Sequence, residues 1–341
     1  MLDRKLFAIL TSVIAGVVFY LLLSSRSLFH GNPKITQMHP QQLQQSRASN
    51  HDCYSYFDNV ALIIVYHYPY YESFSLLHSF YENGFRKIIV CGPVANDKIE
   101  VMQVSHEKGY WGYECLAKAA RLHPGYEGYL QIHDDALLFW WNVLGADKNK
   151  IWLFGNDMKF ENAVLGGPTP TDWHWWRTAN ILNRTADVFN ELRNSSLSWV
   201  NQSFSVFYNN TGGSDTIPRS RADGWYVPRR LSKKLSYLSS IFLKHKVFLE
   251  TAVPTMMCFL DYLPNILSPG GLYLSTKYGY GSNRVSAMSV WKEYRRNMPF
   301  LHPFKLHGDS TGVNRNILIE MIIPHSQRIC NKSSSVGKFQ E

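Results

Sequence analysis

Three short runs of apolar and β-branched residues constrain the fold of this chain most: Val60 to Tyr66 (VALIIVY), Lys87 to Val90 (KIIV) and Tyr129 to Ile132 (YLQI). A strand that is apolar on both faces must be covered on both, which is the situation inside a parallel sheet layered by helices. The intervening segments supply those helices. Residues 72–83 place Phe74, Leu77, Phe80 and Tyr81 on one face, and residues 112–122 repeat Tyr113, Leu116, Ala117 and Ala120 at helical spacing until Pro124 and Gly125 stop the pattern. Strand and helix in alternation predict an α/β fold: a Rossmann-like, mostly parallel sheet with helices on both faces. Beyond residue 150 the pattern is less regular, because Pro228, Pro254, Pro264 and Pro269 cut it into short elements.

The amino-terminal end points to a membrane. Leu6 to Leu23 is an uncharged run of 18 residues directly behind Arg4 and Lys5. It is long enough to span a bilayer and longer than the apolar core of a cleaved signal peptide. The expected layout is a cytoplasmic tail (1–5), a transmembrane signal anchor (6–23), a polar lumenal stem (24–52), a folded domain (53–330) and a short tail (331–341). Positive charge ahead of the span favours this type II orientation. So do five glycosylation sequons, at Asn183, Asn194, Asn201, Asn209 and Asn331. A net charge of +9 would suggest nucleic acid in the cytosol; behind an anchor it points instead to anionic lipids, acidic glycans or nucleotide-sugar diphosphates. The five cysteines are too few for a disulfide scaffold, although Cys53 and Cys330, near the two ends of the folded region, are candidates to pair.

The segment Gly128 to Leu138 (GYLQIHDDALL) carries the most chemistry, since a buried strand runs straight into His133, Asp134 and Asp135. Ligands of open α/β sheets collect beyond the carboxyl ends of strands. Two adjacent carboxylates there are costly to desolvate without a cation, and Mg²⁺ or Mn²⁺ bridging a carboxylate and a diphosphate would remove that cost. A solvated turn or a helix cap is the alternative. Glu250 and Asp223 are candidates for a general base that takes a proton from an acceptor hydroxyl. Either would serve equally as a helix cap or as a partner for Arg229 or Arg230. Trp225 and Tyr226, just after Asp223, are candidates to stack on a sugar ring, and the cluster Trp173, Trp175 and Trp176 suits either sugar stacking or core packing.

A strand followed by an acidic doublet resembles the D-x-D region of GT-A-type glycosyltransferases, Golgi type II enzymes that use nucleotide sugars. More locally, YHYPYYES (Tyr66 to Ser73), IIVCGP (Ile88 to Pro93), GYLQIHDDALL, WYVPRR (Trp225 to Arg230), FLETAVPT (Phe248 to Thr255) and LHPFKL (Leu301 to Leu306) are similar to a eukaryotic group that includes nematode proteins and the carboxyl-terminal regions of plant STELLO proteins. The resemblance covers about residues 55–307. It implies a GT-A-like catalytic domain, with Asp135 as metal ligand, Asp134 on the metal shell or the ribose, and His302 (His307 second) as a late histidine ligand. Lys305 would meet the diphosphate, and the turn Tyr66-His67-Tyr68-Pro69 would hold the nucleotide base. His133 stands where the first acid of a D-x-D belongs, a departure that bears on metal dependence.

The expected function is transfer of a sugar from a nucleotide-sugar donor to a glycan or glycoconjugate acceptor in the Golgi lumen. The competing expectations are a non-catalytic lectin-like or scaffold protein that assists another lumenal enzyme, and a metal-dependent hydrolase. No GxSxG, HExxH or Walker-type signature is present to support other classes.

Overall fold

The structure is a computed structural model that describes residues 36–37, 53–155, 158–160, 163–274, 298–307 and 312–336. Among the described residues no helix is long and apolar enough to cross a membrane. The expected span, 6–23, lies outside them.

Strand β1 (Thr36–Gln37) comes from the expected stem; it is followed by β2 (Val60–Val65), β3 (Lys87–Gly92), β4 (Val101–Gln103), β5 (Gly128–His133), β6 (Leu137–Leu138), β7 (Ile151–Leu153), β8 (Gly224–Pro228), β9 (Ile266–Ser268), β10 (Leu272–Tyr273) and β11 (Phe300–His302). The main sheet has eight strands in the order β1-β9-β7-β8-β5-β2-β3-β4, and a second sheet has three in the order β10-β11-β6. Every pairing in the main sheet is parallel except those of β8, which runs antiparallel to both β5 and β7. A mixed α/β architecture on a mostly parallel sheet fits the GT-A-like expectation.

Strand β2 shows why these sequences become strands. All six of its residues are buried, and alternate side chains enter different cores. Ala61, Ile63 and Val65 pack with Tyr113, Leu116, Leu235, Leu238 and Met256, which come from the helices Tyr113–Leu122, Arg229–Lys244 and Leu249–Leu260. Val60, Leu62 and Ile64 pack with Leu77, Phe80 and Tyr81 of the helix Phe74–Tyr81 and with Trp140 and Trp141. Each such aliphatic side chain contributes about 1.5–3 kcal/mol on burial, which is what a two-sided apolar run secures.

The topology fixes where a ligand can enter. From β2 the chain steps outward through β3 and β4, then returns through the helix Tyr113–Leu122 to place β5 on the opposite side of β2. Connections therefore diverge between β2 and β5, and in open α/β sheets the ligand crevice lies beyond the carboxyl ends of the strands at such a point. Two disulfides tie this framework. Cys91–Cys115 joins the end of β3 to the first turn of the helix Tyr113–Leu122, and Cys53–Cys330 joins the start of the folded region to the helix Ile323–Val336. Cys258 remains a buried free thiol.

The Cys91–Cys115 bridge closes a sequence separation of 24 residues. Chain-entropy arguments then predict that the Cys91→Ala/Cys115→Ala double variant loses about 3 kcal/mol of stability, measured by denaturant unfolding. An unchanged midpoint would show that packing alone holds that helix.

Candidate functional site

Polar side chains from four chain segments meet at this crevice. Val65 and His133 are register partners at the ends of β2 and β5, and the Asp134 N–H donates to the Val65 carbonyl at 2.9 Å. On the other side of β5, the His133 N–H donates to the Asp223 carbonyl at 3.0 Å, which places Asp223 just ahead of the reversed strand β8. Strand β11 brings the fourth segment: the Phe304 N–H donates to the Asp135 carbonyl, so His302 and Lys305 flank that residue. Backbone pairing thus brings together residues that the sequence separates by more than two hundred positions.

The side chains follow. The imidazoles of His67 and His133 touch through Nε2 and Nδ1 at 3.0 Å, and His133 Nδ1 lies 3.4 Å from Asp223 Oδ1. His302 Nε2 sits between two carboxylates, 3.4 Å from Asp135 Oδ1 and 3.5 Å from Asp223 Oδ1. Lys305 Nζ lies 3.7 Å from Asp135 Oδ2. Asp134 faces elsewhere: its carboxylate lies 3.4 Å from the His67 backbone N–H and 3.9 Å from His307 Nδ1. His67 is held by a tight turn at Gly109, whose backbone has a φ of +87° and where a Cβ would stand 2.4 Å from the imidazole.

Electrostatics separates the acids. Burial opposes ionisation of Asp135, but His302, His67 and Lys305 outweigh it and hold its carboxyl well below the usual range. Burial and the charge of Asp135 together push Asp134 well above it. Asp223 also stays low, because His302 and His133 overcome the cost of burial. Burial disfavours the charged form of His302, yet Asp223 and Asp135 raise it to about 9. His67 is pushed down to about 3 by burial and by His133. Adjacent carboxylates have thus been driven apart in acidity, a common mark of functional sites.

Glu250 lies in the first turn of the helix Leu249–Leu260, and its carbonyl accepts the Ser220 N–H at 2.9 Å. Burial, reinforced by Asp223, pushes its carboxyl up to about 8. Arg221, in the same segment as Asp223, lies 4.1 Å over the Tyr273 ring and keeps Nη1 buried without a hydrogen-bond partner among the described residues. Beside Asp134, Tyr70 stacks on His307 at 4.2 Å, with Tyr68 and Tyr70 both exposed.

Asp134, Asp135, Asp223, His67, His302 and Lys305 therefore share one site, with Glu250 close enough to interact electrostatically with Asp223 and His302. Tyr66 does not line it: the ring is buried and its hydroxyl is 3.1 Å from Ser73 Oγ. Trp225 and Tyr226 are buried within β8, and Trp173 and Trp176 are core residues, so none of the four presents a face to a sugar. Sequence reasoning missed Arg221 and Tyr273, which no motif marks. It also missed that His133 and His67 meet; their positions just beyond two adjacent strands were the available signal.

No family model matches the chain. It is 23% identical over 256 residues to an Arabidopsis thaliana protein named Probable glycosyltransferase STELLO1, a match covering 74% of this chain and 30% of that protein. It is 24% identical over 259 residues to Probable glycosyltransferase STELLO2 of the same plant, covering 74% of this chain and 31% of the relative. The chain spans about a third of the length of these relatives, and the similarity is to a STELLO-like glycosyltransferase region.

The elevated Glu250 acidity has a consequence for stability. A carboxyl whose pKa rises on folding from 4.5 to about 8 contributes stability below its unfolded value that is lost as pH rises through the folded one. Glu250→Gln should therefore gain in melting temperature relative to the parent between about pH 5 and pH 8, measured as paired thermal melts. A constant difference across that window would mean that Glu250 is ionised in the fold.

Proposed function

We propose that this protein is a glycosyltransferase that moves a sugar from a nucleotide-sugar donor to a glycan or glycoconjugate acceptor. The observation that carries the reading is the convergence of Asp135, Asp223, His302 and Lys305 at the switch point between β2 and β5, in a chain similar to proteins named as glycosyltransferases. A module that only bound glycans would have little use for buried carboxylates with opposed acidities.

The residues present fit a divalent cation, Mn²⁺ or Mg²⁺: Asp135 is buried and ionised, with His302 and Lys305 beside its carboxylate. When bound, such a cation neutralises charge on a departing nucleotide diphosphate. The chain's own groups do the rest. Lys305, partly exposed beside Asp135, meets the diphosphate. The exposed rings of Tyr68 and Tyr70, the latter stacked on half-buried His307, offer flat surface to the nucleobase. Glu250, not Asp223, takes the acceptor proton, because Asp223 is engaged by His133 and His302 whereas the raised carboxyl of Glu250 is the stronger base.

For location, we infer a type II protein of the Golgi membrane with its domain in the lumen. Two disulfides suit an oxidising compartment, and all five sequon asparagines are exposed.

Three outcomes are expected. Asp135→Asn should lose donor turnover by about 100-fold or more in a screen of UDP-, GDP- and CMP-sugars. Glu250→Gln should lower kcat by roughly 10²–10⁴-fold with donor KM little changed, and abolish a rise of rate with pH through about 8. Expressed in a eukaryotic secretory pathway, the chain should shift in mass on endoglycosidase treatment. No turnover with any donor would favour a scaffold role, and turnover that survives Asp135→Asn would remove the cation-holding role of that residue.

A further inference from the structure

A cluster of aromatic rings adjoins Glu250 and takes no part in the chemistry described so far. Phe248, at the start of the helix that carries Glu250, stacks on Trp175 with ring centroids 4.7 Å apart and planes 23° from parallel. Tyr110 meets both rings edge-on, 5.4 Å from each. His174 lies 4.5 Å from Trp175. Phe248 is buried, whereas Tyr110 and Trp175 stay partly exposed. Trp173 and Trp176, on either side of Trp175 in the sequence, are core residues, so the exposure of Trp175 is particular to its place.

Short backbone links join this shelf to the crevice. The Leu249 N–H donates to the Tyr110 carbonyl at 2.9 Å, which fastens Tyr110 to the first turn of the Glu250 helix. One residue earlier, Gly109 backs onto His67. Glu107, Lys108 and Gly109 take left-handed backbone in succession, with φ of 39°, 58° and 87°. The first two are not glycine, and such strain persists only where the surroundings impose it. A second link runs along residues 219–223. Arg219 pairs with Asp172 at 2.8 Å and lies 5.2 Å from the Trp173 ring centroid, while the Ser220 N–H donates to the Glu250 carbonyl at 2.9 Å. The shelf is thus tied to His67 on one side and to Glu250 and Asp223 on the other.

A pyranose presents a face of C–H groups rimmed by hydroxyls. Laid on an aromatic ring, that face leaves water while the hydroxyls keep their hydrogen bonds. Trp175 offers the ring, and the Asp172–Arg219 pair beside it offers an acceptor and a donor to hydroxyls. We propose that Trp175 and Tyr110, backed by Phe248, form an acceptor subsite that stacks a sugar beyond the one whose hydroxyl meets Glu250. The acceptor class is then an oligosaccharide, rather than a single sugar or a protein hydroxyl. The nucleotide is held elsewhere, on Tyr68 and Tyr70, of which Tyr70 stacks on His307 beside Asp134. The role of acceptor rests on the transferase reading; the stacking of a glycan on Trp175 does not.

The test titrates the full-length chain by calorimetry with monosaccharides and tetrasaccharides of the gluco, manno, xylo and N-acetyllactosamine series, and with UDP, GDP and CMP. At least one tetrasaccharide should bind about 10-fold or more tighter than its monosaccharide. Trp175→Ala should abolish that gain and Trp175→Phe should keep most of it. Trp199→Ala, at a ring packed on Tyr237, should leave it unchanged. Nucleotide affinities should be the same in every variant. Should Trp175→Ala fail to fold, hydroxyl-radical footprinting of the unaltered chain reads the same contact, with oxidation of Trp175 suppressed by the tetrasaccharide and not by nucleotide. The proposal is overturned if no tetrasaccharide exceeds its monosaccharide, if the gain survives Trp175→Ala, if that variant loses nucleotide instead, or if the Trp175 footprint ignores the glycan. Glycan binding without sugar transfer would leave the subsite standing and remove the transferase reading. Sugar transfer with no gain from longer acceptors would do the reverse.

Discussion

Negative charge held out of water at the end of a parallel sheet is the constraint around which this molecule is arranged. Asp134, Asp135 and Asp223 sit within or beside a core built from β2, β5 and β8, where an isolated carboxylate would be protonated. Their different answers to that cost define the site. Burial and the neighbouring charge push Asp134 toward its neutral form, while Asp135 and Asp223 keep their charge by gathering His302, Lys305 and His133. The second sheet exists in this account to deliver His302. Strand β11, three residues long, pairs with the two-residue β6 that follows Asp135, and ends at the carboxylate it serves.

How much of this was legible in the sequence depends on the range of the interaction. The runs at Val60, Lys87 and Tyr129 announce β2, β3 and β5, because burial on both faces leaves a local signature of continuous apolar residues. The helix over 113–122 appears as the spacing foresees, and the one foreseen over 72–83 appears as Phe74–Tyr81 after a short 3-10 turn. The reversal of β8 and its insertion beside β5 have no such signature. Trp225 and Tyr226 read as sugar platforms in the sequence, and their neighbours in the sheet make them core instead. Likewise Thr36–Gln37, two polar residues in a stretch without periodicity, join the sheet edge by pairing with β9.

The site follows the same rule. Asp134 and Asp135 were visible because a charge directly after a buried strand is locally anomalous. His302 and Lys305 became visible only through resemblance, since a lone histidine beside a proline carries little information by itself. His67 read as part of a tyrosine-rich turn for a nucleobase, yet the turn splits by function: Tyr66 points inward to Ser73, His67 toward His133, and Tyr68 and Tyr70 outward. Alternation of direction along three or four residues is a property of backbone geometry, and composition does not record it.

The Cys53–Cys330 bridge gives the molecule a mechanical property as well as a thermodynamic one. It joins positions 277 residues apart, so strands β2 to β11 and both cores lie inside a covalent loop, with β1 at the sheet edge preceding it. Tension applied through chain segments outside that loop passes across the sulfur–sulfur bond and leaves the strands between unloaded. A domain hung by one end from a moving surface would therefore bear the pull at its knot, with the crevice between β2 and β5 left slack.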